Sequence, residues 1–192
     1  MRAVILASTS PYRRELLGRL RIDFGVEKPG VAEEHLAGEA PAERARRLSL
    51  AKARAVAERH PRTVVIGSDQ VAALDGDVLD KPGDEERCRD QLRRLSGRTA
   101  AFWTGCAVVV LESGLELVHV DLTSVVFRHL SDDEIARYVK QERPLDCAGG
   151  FKSEGLGIAL FERIETQDPT ALVGLPLIWL ADALRRAGLP LP

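Results

Sequence analysis

Short apolar runs and amphipathic helical patterns alternate along this chain. Apolar runs at 3–7 and 63–67 are typical of buried strands, because each is short and rich in aliphatic or β-branched residues. The first run leads into Ser10-Pro11. Serine caps a first helical turn and proline fits the position after the cap, so this pair predicts a helix start. A stronger helical pattern covers 41–60.

Later segments add further strands and helices in a mixed order. The other predicted elements are strands at 22–27, 100–111, 115–127 and 158–164, a hairpin over 71–79, and helices at 84–95, 131–141 and 176–187. Neither a repeat nor a clear linker separates these elements. The alternation therefore predicts a single α/β domain, residues 1–192, with a mixed, twisted central sheet flanked by helices.

Composition and charge restrict the class of protein. Hydrophobic residues make up 45% and charged residues 29% of the chain, which is ordinary for a soluble globular domain. A formal net charge of −2 gives no overall attraction to nucleic acid or to anionic membranes, and no apolar segment approaches the length of a membrane span. The three cysteines are far apart and form no CxxC pair. We therefore predict a cytoplasmic protein with reduced thiols and no nucleic-acid or membrane partner.

Two segments that follow predicted strands carry candidate chemistry. Ser8 and Arg13 flank a predicted helix start, where free N–H groups suit a phosphate and where an arginine is unfavourable unless an anion compensates. Asp69 and Gln70 follow the run at 63–67, and open α/β sheets place active sites at such strand ends. The alternatives are an ordinary capped helix with exposed arginines and a turn-forming aspartate.

A glycine-rich segment at 147–157 is the third candidate. Its four glycines allow a ligand to approach the backbone closely, and Glu154 stands among them, although a flexible surface loop is the alternative. Glu33, Lys52 and Lys81 are unremarkable in isolation. The sequence has no HExxH, EF-hand or Cys/His zinc motif, so a metal site would have to be built from Asp and Glu.

These segments together resemble the Maf family of nucleotide pyrophosphatases. The matching motifs in chain order are LASTSPYRRELL at 6–17, Glu33, Lys52-Ala53, GSDQ at 67–70, Lys81-Pro82, SGR at 96–98 with Thr104-Gly105, AGG at 148–150 with Gly155, and VGLP at 173–176. They extend over essentially the whole chain. The resemblance implies an active-site cleft between two lobes. It also implies hydrolysis of a nucleoside triphosphate to the monophosphate and pyrophosphate with a divalent cation, Mg²⁺ or Mn²⁺.

The resemblance also implies roles for individual residues. Asp69 would be the general base, and it would act together with the metal because a carboxylate alone is a weak base. The other implied roles are phosphate binding by Ser8, Arg13, Lys52 and Lys81, metal binding by Glu33 and Asp69, and selection of the base by Tyr12, Gln70 and Glu154.

The match is closest to the branch of the family that prefers 7-methyl-GTP. Gln70 follows Asp69, and Glu154 stands where the dTTP- and UTP-preferring branch typically has glutamine. Two departures accompany the match: Tyr12 stands where this branch often has tryptophan, and Ala32 stands where the family often has aspartate.

Two other functions and the oligomeric state stay open at this point. The chain could be a dTTP or UTP pyrophosphatase of the same family, or a nucleotide-binding regulator of cell division without turnover. The family often forms dimers, and the last helix carries Trp179, Leu180 and Leu184. Their helical spacing favours a core role over a homodimer interface.

Overall fold

The computed structural model describes residues 2–192. The strands are β1 (Val4–Ala7), β2 (Gly25–Val26), β3 (Val64–Leu74), β4 (Asp77–Leu79), β5 (Thr99–Val110), β6 (Leu115–Phe127) and β7 (Phe161–Glu165). The helices are α1 (Pro11–Gly18), α2 (Pro41–Ala57), α3 (Glu85–Leu95), α4 (Asp132–Glu142) and α5 (Leu177–Arg186). No helix in this part of the chain is long and apolar enough to cross a membrane.

All seven strands form one mixed sheet, which confirms the predicted fold class. The strand order is β2-β1-β3-β5-β6-β7, and β4 pairs with β3 outside this path. Strand β1 runs parallel to β2 and to β3, whereas every other pairing is antiparallel. Helices pack against the sheet through apolar clusters on both faces, with α1 and α5 on one face and α2 on the other.

One edge of β3 is interrupted in the middle of the sheet. Strand β5 pairs with β3 along its other edge, from Val65 to Ala73. On the interrupted edge, β1 pairs with β3 only up to Gly67, and β4 pairs with it only from Ala72. Among the described residues, 68–71 therefore have no strand beside them on that edge. We call this interval the sheet break.

Three sequence-based boundaries are wrong, each for a local reason. Strand β3 does not end at residue 67 but continues to Leu74, because β5 pairs with it throughout, so Asp69 lies inside a strand rather than after one. The strand predicted at 22–27 is reduced to Gly25–Val26, because β1 pairs with it at only two positions. The strand predicted at 158–164 begins only at Phe161, after a 3₁₀ segment at Leu156–Leu160.

Two glycines allow α2 to lie directly against the sheet. A Cβ atom on Gly67 would lie 2.2 Å from the carbonyl oxygen of Ser49, and one on Gly105 would lie 2.2 Å from that of Ala45. Only glycine fits at such a backbone approach. The close contact brings Lys52 of α2 onto the sheet face, where only 5% of the residue is exposed.

The buried carboxyl group of Asp121 on β6 is a weak point of the fold. The residue is 5% exposed, and its Oδ1 has no hydrogen-bond partner among residues 2–192. Burial raises the pKa of Asp121, and the neighbouring Asp168 raises it further, while His119 opposes the change. The carboxylate of Asp168 binds the start of α5, where its Oδ2 accepts a hydrogen bond from the backbone N–H of Ile178 at 2.7 Å.

We expect Asp121→Asn to raise the melting temperature at pH 7. Because folding raises the pKa of Asp121, its contribution to stability falls as the pH rises from the unfolded to the folded pKa, and the deficit persists at neutral pH. The gain should be about 2–4 °C, the shift that ~1 kcal/mol produces in a chain of this size. It should shrink as the pH is lowered toward about 4, near the carboxyl pKa of the unfolded chain. Thermal unfolding followed by circular dichroism at both pH values, with exposed Asp23→Asn as control, tests this. A gain independent of pH would contradict it.

Candidate active site

The sheet break opens into a cleft of about 630 Å³. Its walls are built by the segments that leave β1 and β4, by the middle of β3, by α2, and by the loop that follows α4. All nine residues that the sequence singled out line this one cleft: Ser8, Tyr12, Arg13, Glu33, Lys52, Asp69, Gln70, Lys81 and Glu154. The fold therefore brings together residues that are up to 146 positions apart in the sequence.

A buried lysine joins the two candidate metal-binding carboxylates. The Nζ of Lys52 lies 2.6 Å from Asp69 Oδ1 and 2.6 Å from Glu33 Oε1. Asp69 is 7% exposed, whereas the side chain of Glu33 is 55% exposed and faces the cleft. Two carboxylates and one ammonium give this triad a net charge of −1, which suits a cation bound at the two carboxylates.

The electrostatics of Glu33 favour its ionised form. Partial burial acts to raise the pKa of Glu33, but the hydrogen bond and charge of Lys52, with Lys81 and Arg13 farther away, outweigh burial and lower it. Glu33 is therefore a carboxylate at neutral pH, available for a cation or for the lysine.

The segment after β1 presents a hydroxyl and a guanidinium to the cleft. Arg13 in the first turns of α1 donates from Nε to the carbonyl of Gly174 at 3.1 Å, and its Nη1 lies 3.5 Å from Ser8 Oγ. The N–H of Ser10 also donates to Ser8 Oγ, at 3.2 Å. Ser8 Oγ accepts both contacts, and its own O–H donates to no acceptor within residues 2–192, so it can donate to a ligand. The predicted helix cap is confirmed, since Ser10 accepts from the N–H of Arg13.

Arg13 is held without a counter-ion. It makes no salt bridge with any carboxylate among the described residues, and burial lowers the pKa of Arg13 while Asp69 and Glu33 raise it. An anion that enters the cleft would stabilise this guanidinium through charge-assisted hydrogen bonds.

Two further cations line the cleft from other elements. Lys81 follows β4 and is exposed. Arg44, in the first turn of α2, was not among the predicted site residues. Its Nη1 contacts His35 Nδ1 at 2.7 Å, and its Nη2 donates to the carbonyl of Glu33 at 3.5 Å. The signal that could have identified it is the one used for Arg13, an arginine near a helix N-terminus.

Gln70 is held by the loop that precedes α5. Its Nε2 donates to Leu172 O at 2.9 Å and to Thr104 Oγ1 at 3.0 Å, with Ala171 O at 3.2 Å. The amide nitrogen therefore anchors this loop. A role in selecting the base stays a prediction and would fall to the amide oxygen of Gln70.

The end of the cleft near Tyr12 has a different character. Tyr12, Cys147 and Glu154 all line it, and Cys147 Sγ lies 3.9 Å from the Tyr12 hydroxyl oxygen. Burial raises the pKa of Tyr12 above its usual range, and Cys147, Asp146 and Glu154 raise it further, so the ring stays a neutral phenol. Asp146 lies here too and was not predicted from the sequence, although it adjoins the glycine-rich segment.

The residues present suit a divalent cation that is shared with a ligand. No group of three His, Cys, Asp or Glu side chains within residues 2–192 forms a ready metal site. However, Mg²⁺ is typically held by one or two carboxylates together with substrate phosphates and water. Asp69 and Glu33 each use one oxygen for Lys52, which leaves Asp69 Oδ2 and Glu33 Oε2 as donors.

Comparison with known proteins gives a consistent result. A family model described as Maf-like protein matches residues 3–187. A 7-methyl-GTP pyrophosphatase from Polaromonas sp. is 55% identical over 190 residues, covering 99% of this chain and 87% of that protein. Proteins of the same name from Xanthomonas campestris pv. campestris and Pseudomonas aeruginosa are 55% and 53% identical, over 100% and 98% of each chain.

Among solved structures, the Ham1 protein of Staphylococcus aureus has a similar fold. The TM-score is 0.54 at 18% sequence identity, and the match covers 98% of this chain and 100% of that chain. At this identity the likeness concerns the arrangement of strands and helices alone.

Proposed function

Because this chain belongs to the Maf-like protein family, we propose that it is a nucleoside triphosphate pyrophosphatase that converts 7-methyl-GTP to 7-methyl-GMP and pyrophosphate. The observation that carries the proposal is a single cleft. At one end the Lys52–Asp69–Glu33 triad lies with cations that have no salt-bridge partner in the described part of the chain, and at the other lies an aromatic ring with carboxylates. Relatives above 50% identity that are named for this activity support the substrate.

The cationic end of the cleft suits the triphosphate. Arg13 and Lys81 make no salt bridge within residues 2–192, and the O–H of Ser8 is available to donate. Hydrogen bonds from such charged donors to phosphate are short and strong, and they cost little reorganisation because the donors are already in place. We assign Ser8, Arg13, Lys52 and Lys81 to the phosphates.

We assign Asp69 to activate the attacking water. In the proposed step the water oxygen forms a bond with the α-phosphorus, the bond from that phosphorus to the α–β bridging oxygen breaks, and pyrophosphate leaves with the bonding electrons. Asp69 accepts the proton that the water loses. Lys52 holds the carboxylate of Asp69 in position through its 2.6 Å contact, and it balances charge that develops on the phosphate oxygens.

A divalent cation, Mg²⁺ or Mn²⁺, would be held by Asp69 and Glu33 together with phosphate oxygens. When bound, it would supply positive charge to the phosphates and make a neighbouring water more acidic. The weak basicity of a carboxylate is compatible with this role, because the water it deprotonates would then be a stronger acid.

The other end of the cleft suits a methylated guanine. A 7-methylguanine ring is cationic, and stacking on Tyr12 would give a cation–π contribution of about 1–2 kcal/mol when desolvated. Glu154 would accept hydrogen bonds from the guanine N1–H and the exocyclic amine. Within residues 2–192 the one hydrogen bond to its carboxylate comes from the neighbouring Ser153 hydroxyl at 3.3 Å, so both oxygens can accept from a ligand.

A substrate panel tests the proposal. We expect pyrophosphate release in the presence of Mg²⁺ or Mn²⁺ to be fastest with 7-methyl-GTP, when compared with GTP, dTTP, UTP and ATP. Turnover of pyrimidine triphosphates alone would retain the reaction and overturn the substrate. Binding without turnover of any member would instead indicate a nucleotide-binding regulator.

The same panel run on Glu154→Gln separates recognition from catalysis. Glutamine presents one acceptor and an amide donor where the guanine edge offers two donors. The preference for 7-methyl-GTP over UTP should therefore fall about tenfold, the scale of a hydrogen bond to a charged group, while kcat changes less. An unchanged ratio of kcat/KM values would exclude Glu154 as the group that reads the base.

A further inference from the structure

The cleft is electrically polarised from end to end. At the phosphate end, Arg13, Arg44 and Lys81 make no salt bridge with any carboxylate in the described part of the chain. At the other end the signs are reversed, because neither Asp146 nor Glu154 has a cationic salt-bridge partner within residues 2–192. The unpaired charges therefore suit a ligand with an anionic tail and a cationic head.

Asp146 lies beside the aromatic ring of this second end. Cys147 connects the two, since its Sγ lies 3.6 Å from Asp146 Oδ1 and 3.9 Å from the hydroxyl oxygen of Tyr12. Burial raises the pKa of the Cys147 thiol to about 12, so the thiol is neutral and contributes no charge of its own. The carboxylate of Asp146 is exposed to the cleft and also raises the pKa of Tyr12.

Neither of the two basic residues around Asp146 on this loop forms a salt bridge with it within residues 2–192. Arg143, the exposed residue that follows α4, makes none with any carboxylate in that range. Lys152, on the same loop, directs its Nζ toward Glu142, with 3.8 Å to Oε1 and 3.5 Å to the backbone carbonyl. Glu142 also accepts from the N–H of Leu156 at 2.8 Å, which ties this part of the loop to the end of α4. The charge of Asp146 is thus left for whatever occupies the space next to Tyr12.

We propose that Asp146 is a specificity-determining residue that recognises the positive charge of an N7-methylated purine ring. The inference rests on the proposed function and deepens it. Methylation at N7 leaves the triphosphate in place and keeps the same N1–H and amine donors, so the pattern of hydrogen-bond donors is the same in 7-methyl-GTP and GTP. What changes is the ring charge, and a carboxylate beside the stacked ring responds to that charge directly.

Recognition by charge predicts a broader substrate class than recognition of guanine alone. The enzyme should favour 7-methyl-ATP over ATP, although the adenine edge cannot donate to Glu154 in the way that guanine does. In each pair, 7-methyl-GTP with GTP and 7-methyl-ATP with ATP, the methylated member carries one additional positive charge on the ring. Asp146 should therefore contribute a similar factor to both ratios.

The test compares wild type with Asp146→Asn, which removes the charge and keeps the shape. The ratio of kcat/KM for 7-methyl-GTP over GTP should fall about fivefold or more, the factor that one charge pair a few ångströms apart supplies in a water-like dielectric. The loss should lie mainly in KM for the methylated substrate. Glu162→Gln is the matched control, because it removes one negative charge from an exposed position of β7 outside the cleft.

The dependence of the substrate ratio on ionic strength distinguishes a charge-reading role of Asp146 from a purely structural one. In wild type the 7-methyl-GTP to GTP ratio should decline when KCl is raised from about 50 to about 500 mM, because screening shortens the reach of the Asp146 charge. In Asp146→Asn the decline should be smaller, because Glu154 is then the one described carboxylate of this end that remains. The contribution of phosphate contacts to salt dependence cancels, because both substrates carry the same triphosphate.

The outcomes distinguish the two proposals. If wild type prefers 7-methyl-GTP and Asp146→Asn keeps the full preference, the role of Asp146 is overturned and the proposed function stands. If wild type shows no preference for 7-methyl-GTP over GTP, the proposed substrate fails, and the charge-reading role fails with it. The inference is supported if both methylated-to-unmethylated ratios fall by a similar factor in Asp146→Asn and stay at the wild-type value in Glu162→Gln.

Discussion

Replacing Asp69 by asparagine or alanine should lower kcat at least about 100-fold, within the range expected for loss of a general base. Among the described carboxylates that line the cleft, only Asp69 is buried. Glu33 shares the contact with Lys52, but its side chain is 55% exposed and reaches the cleft from the opposite loop. The loss should appear mainly in kcat, because proton transfer to Asp69 occurs in the transition state, and KM should rise as well because Asp69 is also assigned to the cation that contacts the phosphates.

The design of the experiment separates catalysis from folding. Asparagine keeps the size of Asp69, and Lys52 keeps Glu33 as a partner, so the fold should persist in circular dichroism. A non-hydrolysable α,β-methylene triphosphate should still bind. Asp133→Asn, an exposed aspartate in the first turn of α4, serves as the control and should retain wild-type turnover. If Asp69→Asn retained more than about a hundredth of wild-type kcat, Asp69 could not be the base.

The second large effect concerns stability rather than chemistry. Gly67→Ala should lower the free energy of unfolding by about 3 kcal/mol, at the upper end of the overpacking range. The new Cβ would lie 2.2 Å from Ser49 O and 2.6 Å from the N of Ala53, and both atoms belong to helix backbone that cannot rotate away. Helix α2 must therefore move off the sheet. For a chain of this length the melting temperature should fall by roughly 6–12 °C.

Gly18→Ala is the matched control for this substitution. Gly18 ends α1, has no positive φ, and a Cβ there would meet nothing within 4 Å. Alanine should be neutral or slightly stabilising at such a position. Differential scanning calorimetry of both variants gives the comparison. Equal melting temperatures for Gly67→Ala and Gly18→Ala would show that α2 does not depend on the close approach at Gly67.

Local signals in the sequence predicted the elements that depend on local interactions. The start of α1 at Ser10-Pro11 is confirmed, and so is the capping box of α4, where Ser131 accepts from the N–H of Glu134 and the Glu134 side chain accepts from the N–H of Ser131. Each of these signals operates within four residues, and its geometry is independent of the rest of the chain.

Features that depend on distant partners were predicted less well. Residues 68–70 are polar and look like the end of a strand, but β5 pairs with them through residues 104–106 and continues the strand. No local pattern contains that information. Local patterns indicate Ser8, Arg13, Asp69, Gln70 and Glu154, whereas Tyr12, Glu33, Lys52 and Lys81 depend on the family resemblance. Neither approach indicates Arg44 or Asp146, because neither residue belongs to a motif. Only the folded chain shows that both line the same cleft.

The sheet break sets a limit on how this protein can be stabilised. Extending β1 by a few residues, or lengthening β4 toward it, would give 68–71 a hydrogen-bonded neighbour strand, which is a usual route to a more stable sheet. That added strand would occupy the space between Ser8, Asp69 and Lys81. Pairing residues 68–71 would therefore raise stability at the expense of turnover. Thermostable variants should be sought at positions far from β3, such as the buried carboxyl group on β6.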